Sequence, residues 1–170
     1  MSIDKEVHDR LKRRKPFPRR LQTIVEMKGI KTGSKVFGGY IKGESDIDWL
    51  LIHDPAFLQE ITRFAVYTHT DYSDSDFTSY YIKTQDDEIW NLLIMRTPAT
   101  FEIWAEATRA VRRLKNEPRI ETALLKKSAR IEAFETMLGL IRNGMYTQEE
   151  SAQTRSKTDP LAYLDSDIPF

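Results

Sequence analysis

The chain has 170 residues, no cysteine, and 26 basic residues (lysine and arginine) balanced by 26 acidic ones. This length suits one domain with appendages, and the lack of cysteine excludes disulfides, thiolate metal sites and thiol nucleophiles. Apolar runs such as residues 49–52 are far too short to cross a bilayer, so we expect a soluble, cytoplasmic protein with no membrane contact.

The first half of the chain is predicted to contain basic helices within residues 1–30, followed by two strands and another helix. Pro16 and Pro18 separate the first two helices, because proline cannot continue a helix. The predicted elements, in order, are a helix at 3–15, a helix at 19–28, a strand at 35–37, a strand at 47–53 and a helix at 56–65.

The second half is predicted to form a hairpin followed by helices. Strands are expected at 77–83 and 89–95, while Thr97-Pro98 and Glu117-Pro118 have the proline at the first helical position that is typical of a helix start. We therefore expect an α+β domain over residues 1–145, with a mixed sheet flanked by helices. Residues 146–170 are polar without periodic apolar positions, which predicts a flexible, disordered linker and tail.

Positive charge crowds the start of the chain, and this predicts either a binding surface or a solvated helix face. A nucleic-acid-binding module is one interpretation, and its affinity would fall steeply with salt. The basic side chains that would contact nucleic acid are Arg13, Arg14, Lys15, Arg19 and Arg20.

Two aspartates form the first candidate site. Asp46 and Asp48 are two residues apart at a predicted strand, so both carboxylates face the same side. Neighbouring carboxylates repel each other unless a cation lies between them. A hard ion such as Mg²⁺ or Mn²⁺, which prefers carboxylate and phosphate oxygens, is the expected occupant.

A glycine pair precedes the aspartates. Gly38-Gly39 lets the backbone approach a polyphosphate closely, and Lys42 can add positive charge. The alternative is a strand-entry turn in which Ser45 and the carboxylates only cap backbone amides.

These residues resemble the DNA polymerase β-like nucleotidyltransferase superfamily, in which a Gly-Gly or Gly-Ser turn precedes Asp-x-Asp on the next strand. The resemblance implies that Gly38, Gly39 and Ser45 contact a nucleoside triphosphate. It also implies that Asp46 and Asp48 ligate two metal ions, which would orient the phosphates for in-line displacement.

The family's third carboxylate is replaced by a neutral amide. Asn91 offers a metal an oxygen but no charge, and it cannot act as a base. Glu88 is the alternative, although strand parity places it on the opposite face. Residues 36–144 also resemble small phage-encoded nucleotidyltransferase-like proteins, which tend to carry Asn on this strand. The matching residues are Asp76, Phe77, Ser79, Asn91 to Ile94, Phe101, Trp104, Ala107 and Thr108.

The last residues of the sequence resemble the acidic tip of bacterial single-stranded-DNA-binding protein. In that family the final phenyl ring enters an apolar pocket, and aspartates lie along its basic rim. The resemblance implies partners that carry this pocket: exonuclease I, a RecQ-like helicase or the primosomal helicase, in the host bacterial cytoplasm. The residues concerned are Asp165, Asp167, Ile168, Pro169 and Phe170.

Two functions follow for the whole chain. The first is a phage-type nucleotidyltransferase-like protein that acts on or near host DNA-repair and replication machinery through this mimic of the tail. The second is a non-catalytic effector that binds and inhibits, or recruits, a host nuclease or helicase. Transfer of a labelled nucleotide, lost in Asp48→Asn, would distinguish the enzyme from the effector.

Overall fold

The structure, a computed structural model, describes residues 4–68 and 76–144. Within these residues the chain forms helices around a mixed five-stranded sheet, which confirms the predicted α+β class. The helices are α1 (Lys5–Leu11), α2 (Arg19–Lys28), α3 (Ser34–Phe37), α4 (Pro55–Ile61), α5 (Pro98–Leu114), α6 (Pro118–Ala123) and α7 (Lys127–Arg142). The strands are β1 (Ile30–Thr32), β2 (Ile47–Ile52), β3 (Val66–Thr68), β4 (Phe77–Lys83) and β5 (Ile89–Met95).

The sheet has the order β1-β2-β5-β4-β3. β2 runs parallel to β5, while β1 with β2, β4 with β5, and β3 with β4 are antiparallel pairs. The predicted hairpin of β4 and β5 is therefore confirmed, and it lies beside the strand that carries the aspartates. The register places Asp48 opposite Asn91 on the neighbouring strand.

The two faces of the sheet are covered by different helices. Trp49 and Leu51 of β2 belong to a core cluster that includes Leu21 of α2 and Ile61 of α4. Leu50, pointing the other way, packs in a second cluster with residues of β4, β5 and α5. Because Asp48 has the same parity as Leu50, its carboxylate lies on the α5 face.

Two further helices approach that same face. Val7 and Leu11 of α1 pack with Val66, beside Tyr81 and Ile89. Helix α7 packs against α5, and rings from the two helices are in contact at a centroid distance of 5.1 Å. The polar end of β2 is therefore surrounded by parts of the chain that are distant in sequence.

One predicted strand is wrong. Residues 35–37 form part of the short helix α3, which follows Gly33 at a φ of 71°. Phe37, whose aromatic side chain favoured a strand, is buried against Val111 and Leu124. Tertiary packing thus outweighs the strand propensity of this segment.

Other boundaries differ modestly from the predictions. The first helix ends at Leu11, and the helical pattern after Pro118 is divided between α6 and α7. The three-residue strands β1 and β3 were not predicted, because they are too short to show an alternating pattern. In the part of the chain that the structure describes, every helix is too short or too polar to span a lipid bilayer. The predicted tail at 146–170, with its docking residues, lies outside the described residues.

Candidate metal and nucleotide site

The two predicted aspartates lie at the start of a central strand. Asp46 comes directly before β2, and Asp48 is its second residue. On the parallel neighbour β5, Asn91 is opposite Asp48, and its Nδ2 donates a hydrogen bond of 2.9 Å to Asp48 Oδ1. The structure therefore joins two of the three predicted metal ligands, Asp48 and Asn91, through a direct contact between their side chains.

The Asn91 side chain is also held from its other side. Ser79 of β4 donates from Oγ to Asn91 Oδ1 at 2.5 Å. Both residues are buried, with Ser79 2% and Asn91 8% exposed. The amide is thus fixed between one donor and one acceptor, with its NH₂ group directed at the carboxylate.

Tyr81 is a site residue that the sequence reasoning missed. It lies opposite Asn91 in the β4–β5 register, and its side chain is hydrogen-bonded to Asp46. Burial and the negative charges of Asp46 and Asp48 raise the pKa of Tyr81, so its hydroxyl stays protonated and donates. Its parity with Ser79 along β4 was the signal that could have found it.

Gly33 is the second residue that was missed. A Cβ at this position would lie 2.1 Å from Asp48 Oδ2, and the backbone has a φ of 71° that side-chain-bearing residues rarely adopt. Ser34, the first residue of α3, follows directly. Gly33-Ser34 is the Gly-Ser form of the turn that the superfamily resemblance allows, so the sequence did contain this signal.

The predicted Gly38-Gly39 pair faces a different group. A Cβ on Gly39 would lie 2.4 Å from the Arg130 guanidinium, and the nearest atoms to one on Gly38 belong to Leu124 and Leu125. Arg130 in turn donates from Nη1 to the carbonyl oxygens of both leucines, at 2.9 and 2.8 Å. Gly39 therefore lets the loop pack closely on the Arg130 side chain at the start of α7, whereas Gly38 makes only ordinary contacts there.

The remaining predicted nucleotide contacts lie on the turn before β2. Ser45 is buried, and its Oγ accepts a hydrogen bond from the backbone N–H of Ile41 at 3.0 Å. Lys42 is exposed on the same turn. For Ser45 the capping alternative thus describes the observed hydrogen bond.

Electrostatics at the carboxylates favour protonation in the absence of a cation. Burial raises the pKa of Asp46, and burial followed by the charge of Asp46 raises the pKa of Asp48 well above its ordinary value. Hydrogen bonds from Tyr81 and Asn91, and the positive charge of Lys127 on the first turn of α7, partly offset these effects. Lys127 was not predicted, since nothing near it in sequence links it to the aspartates.

The donor set fits a hard divalent cation. The two partly buried carboxylates are close enough for the charge of Asp46 to raise the pKa of Asp48, and each keeps an oxygen that the Tyr81 and Asn91 side chains do not use. Among the residues that the structure describes, no cluster of three or more histidine, cysteine, aspartate or glutamate side chains could hold a metal. The candidate site is therefore a two-carboxylate site.

Glu88, the alternative third carboxylate, acts elsewhere. It precedes β5 at the turn of the hairpin, where its backbone N–H donates to Thr84 Oγ1. Burial, followed by the charge of Glu88, raises the pKa of Tyr40, which packs on the α2–α4 face of the sheet. This agrees with the parity argument that separates Glu88 from Asn91.

Two of the predicted basic contacts are in ion pairs on the surface. Arg19 contacts Asp86 at 3.1 Å and Arg20 contacts Glu60 at 2.5 Å. Arg13, Arg14 and Lys15 are exposed in the segment between α1 and α2. The five basic residues therefore differ, because two of them are paired with acidic side chains and three are exposed in a loop.

Comparisons of the chain with protein-family models, curated proteins and solved structures found no match. The three resemblances drawn from the sequence therefore stay predictions.

Proposed function

We propose that this chain is a nucleotidyltransferase-like protein that binds a nucleoside triphosphate together with Mg²⁺ or Mn²⁺ at Asp46 and Asp48. The observation that supports this most directly is the pair of partly buried, mutually repelling carboxylates of Asp46 and Asp48, the second of which lies against Gly33. A bound divalent cation would neutralise the carboxylates and attract phosphate oxygens.

The surrounding residues have roles suited to this ligand. Because Gly33 has no Cβ, Asp48 Oδ2 can lie against its backbone. Tyr81 donates a hydrogen bond to Asp46, and Asn91 donates one to Asp48 Oδ1. Lys127 brings positive charge to the same place, where it would also attract a polyphosphate. The chain's own contribution is thus to bind and orient the charged end of a nucleotide.

The proposed reaction class is nucleotidyl transfer to an acceptor, as the resemblance implies. Neither Asn91 nor Tyr81 supplies a base, because an amide cannot take the proton and the pKa of Tyr81 is raised. The non-catalytic effector therefore stays the second candidate. The nucleic-acid-binding interpretation is less favoured, because acidic partners already occupy Arg19 and Arg20.

Calorimetry tests nucleotide binding directly. We expect Mg²⁺·ATP to release or absorb heat on binding the wild-type chain, and the signal to vanish when Asp46→Ala and Asp48→Ala are combined. Asp86→Asn is the matched control, because it removes an exposed carboxylate on a hairpin turn. No heat with the wild type, or equal heat with the double variant, contradicts the proposal.

The second part of the proposal concerns residues 165–170, outside the described residues. We propose that Asp165, Asp167 and Ile168-Pro169-Phe170 dock on a bacterial protein with the single-stranded-DNA-binding-protein tail pocket, in the host cytoplasm. Support comes from the order of acidic, stiff and aromatic residues. Purified exonuclease I should bind the full chain and fail to bind a chain without Phe170, and equal binding contradicts the docking proposal.

A further inference from the structure

We infer that Asn91 is a positioning residue and not a metal ligand, and that the site therefore holds one divalent cation instead of two. This rests on the proposed function, since it specifies how the same site binds its cation. The observation that carries it is the fixed orientation of the Asn91 amide between Ser79 and Asp48.

Hydrogen-bond chemistry fixes this orientation. With a cation bound, Asp48 is ionised and only accepts hydrogen bonds, so the amide group 2.9 Å from its Oδ1 is the NH₂ donor. The amide oxygen then faces Ser79, whose hydroxyl can donate to it. Rotating the amide by half a turn would place two oxygens against each other at Asp48, and bring the nitrogen to Ser79.

Burial prevents an easy change of this arrangement. Asn91 and Ser79 are almost fully buried on adjacent strands, and β2 packs along β5 through six paired residues. To ligate a cation at Asp48, Oδ1 would have to turn away from Ser79 toward the carboxylate, and the buried Ser79 hydroxyl hydrogen would lose its acceptor. That loss costs about 1–3 kcal/mol, so the donor orientation is strongly favoured.

The protein's own charge favours a single cation. The two carboxylates supply the charge that one divalent ion needs, whereas a second ion, about 4 Å from the first in two-metal sites, would depend on the phosphates alone for its counter-charge. A second cation would meet a neutral amide whose nearest atoms are donor hydrogens. The chain is therefore suited to hold a nucleotide through one cation, without a second ion to support displacement.

Counting bound Mn²⁺ tests the inference. We would saturate the chain with Mn²⁺ and a non-hydrolysable ATP analogue and measure Mn²⁺ per bound nucleotide by electron paramagnetic resonance. We expect one for the wild type and two for Asn91→Asp, which restores a carboxylate. Asn116→Asp is the matched control, since it adds the same charge at an exposed turn, and it should stay at one.

The outcomes separate this inference from the proposed function. Two Mn²⁺ in the wild type, or one in Asn91→Asp, overturns the single-cation inference while nucleotide binding survives. No Mn²⁺ bound by any of the chains contradicts the proposed function and the inference together.

A second measurement uses only the wild-type chain, so it does not depend on whether a variant folds. With Mg²⁺·ATP bound to the wild type, nuclear Overhauser contacts from the Asn91 NH₂ protons should reach the Asp48 β-protons. Strong contacts to the Ser79 β-protons in their place would show the rotated amide, and would overturn the assignment of Asn91 as a donor.

Discussion

At Asp48, burial and the charge of Asp46 both favour the protonated carboxyl group. A raised folded-state pKa means that this group's stabilising contribution is fully present below the ordinary pKa of aspartate, about 4. That contribution is lost as pH rises through the raised value. Without a cation, the site should therefore weaken the fold at neutral pH.

Replacing the Asp48 carboxylate tests how much its ionised form destabilises the fold. In EDTA at pH 7, we expect Asp48→Asn to melt about 3 °C above the wild type, which corresponds to roughly 1 kcal/mol for a chain of this size. The advantage should shrink as pH falls toward 4, because the wild-type carboxyl becomes protonated. Thermal melts of both chains between pH 4 and pH 7 measure this difference. Equal melting temperatures of Asp48→Asn and the wild type at pH 7 would contradict the predicted cost of the carboxylate. The control Asp86→Asn should show no such pH trend.

Gly33 permits a matched test of close packing. Gly33 and Gly43 both have positive φ, 71° and 86°, so alanine costs each about 1 kcal/mol or more in backbone strain. Only at Gly33 would the added Cβ meet Asp48, since nothing lies within 4 Å of one at Gly43. Gly33→Ala should therefore abolish Mg²⁺·ATP binding in calorimetry, whereas Gly43→Ala should keep it. Loss of binding in both variants would contradict a specific role for Gly33.

Among the elements, those with a strong local pattern were predictable. β2, β4 and β5 have aliphatic or alternating runs between polar turns, and α5 is capped by Thr97, whose side chain accepts from the N–H of Thr100. α3 was not predictable, since its burial against α5 and α7 depends on residues far along the chain.

The residues of the candidate site also differ in how far the sequence could predict them. Asp46 and Asp48 could be selected from strand parity, because local spacing determines which way they face, and Asn91 from the family resemblance. Tyr81 could have been found only through its parity with Ser79, and Lys127 could not be selected, since only the docking of α7 brings it to the aspartates. The glycine pair attracted the nucleotide assignment, although Gly33 is the glycine beside Asp48.

Arg130 holds the start of α7 in place. Its two hydrogen bonds satisfy carbonyl oxygens at the end of α6, and its side chain is 8% exposed. Arg130→Met should lower the free energy of unfolding by about 2 kcal/mol, the scale for losing hydrogen bonds from a charged group. Urea denaturation measures this change. Arg119→Met, at an exposed position of α6, should change it little, and equal losses would refute the role of Arg130.

The whole molecule combines the folded domain with residues 165–170, for which we propose a docking role. If the two parts act independently, a chain shortened to residues 1–145 should bind Mg²⁺·ATP as the full chain does, but should no longer bind exonuclease I. Calorimetry and a pull-down with purified protein measure the two properties. Loss of nucleotide binding on truncation would show that residues 146–170 contribute to the site.

We propose that Asp46 and Asp48 share one divalent cation. Crystals grown with Mn²⁺ and a non-hydrolysable ATP analogue test it through anomalous scattering at the manganese edge. The account predicts a single anomalous peak in contact with both carboxylates, at ~2.1 Å from their oxygens as for Mg²⁺, with the triphosphate beside it. Crystals that contain bound nucleotide but no peak between these carboxylates would contradict it.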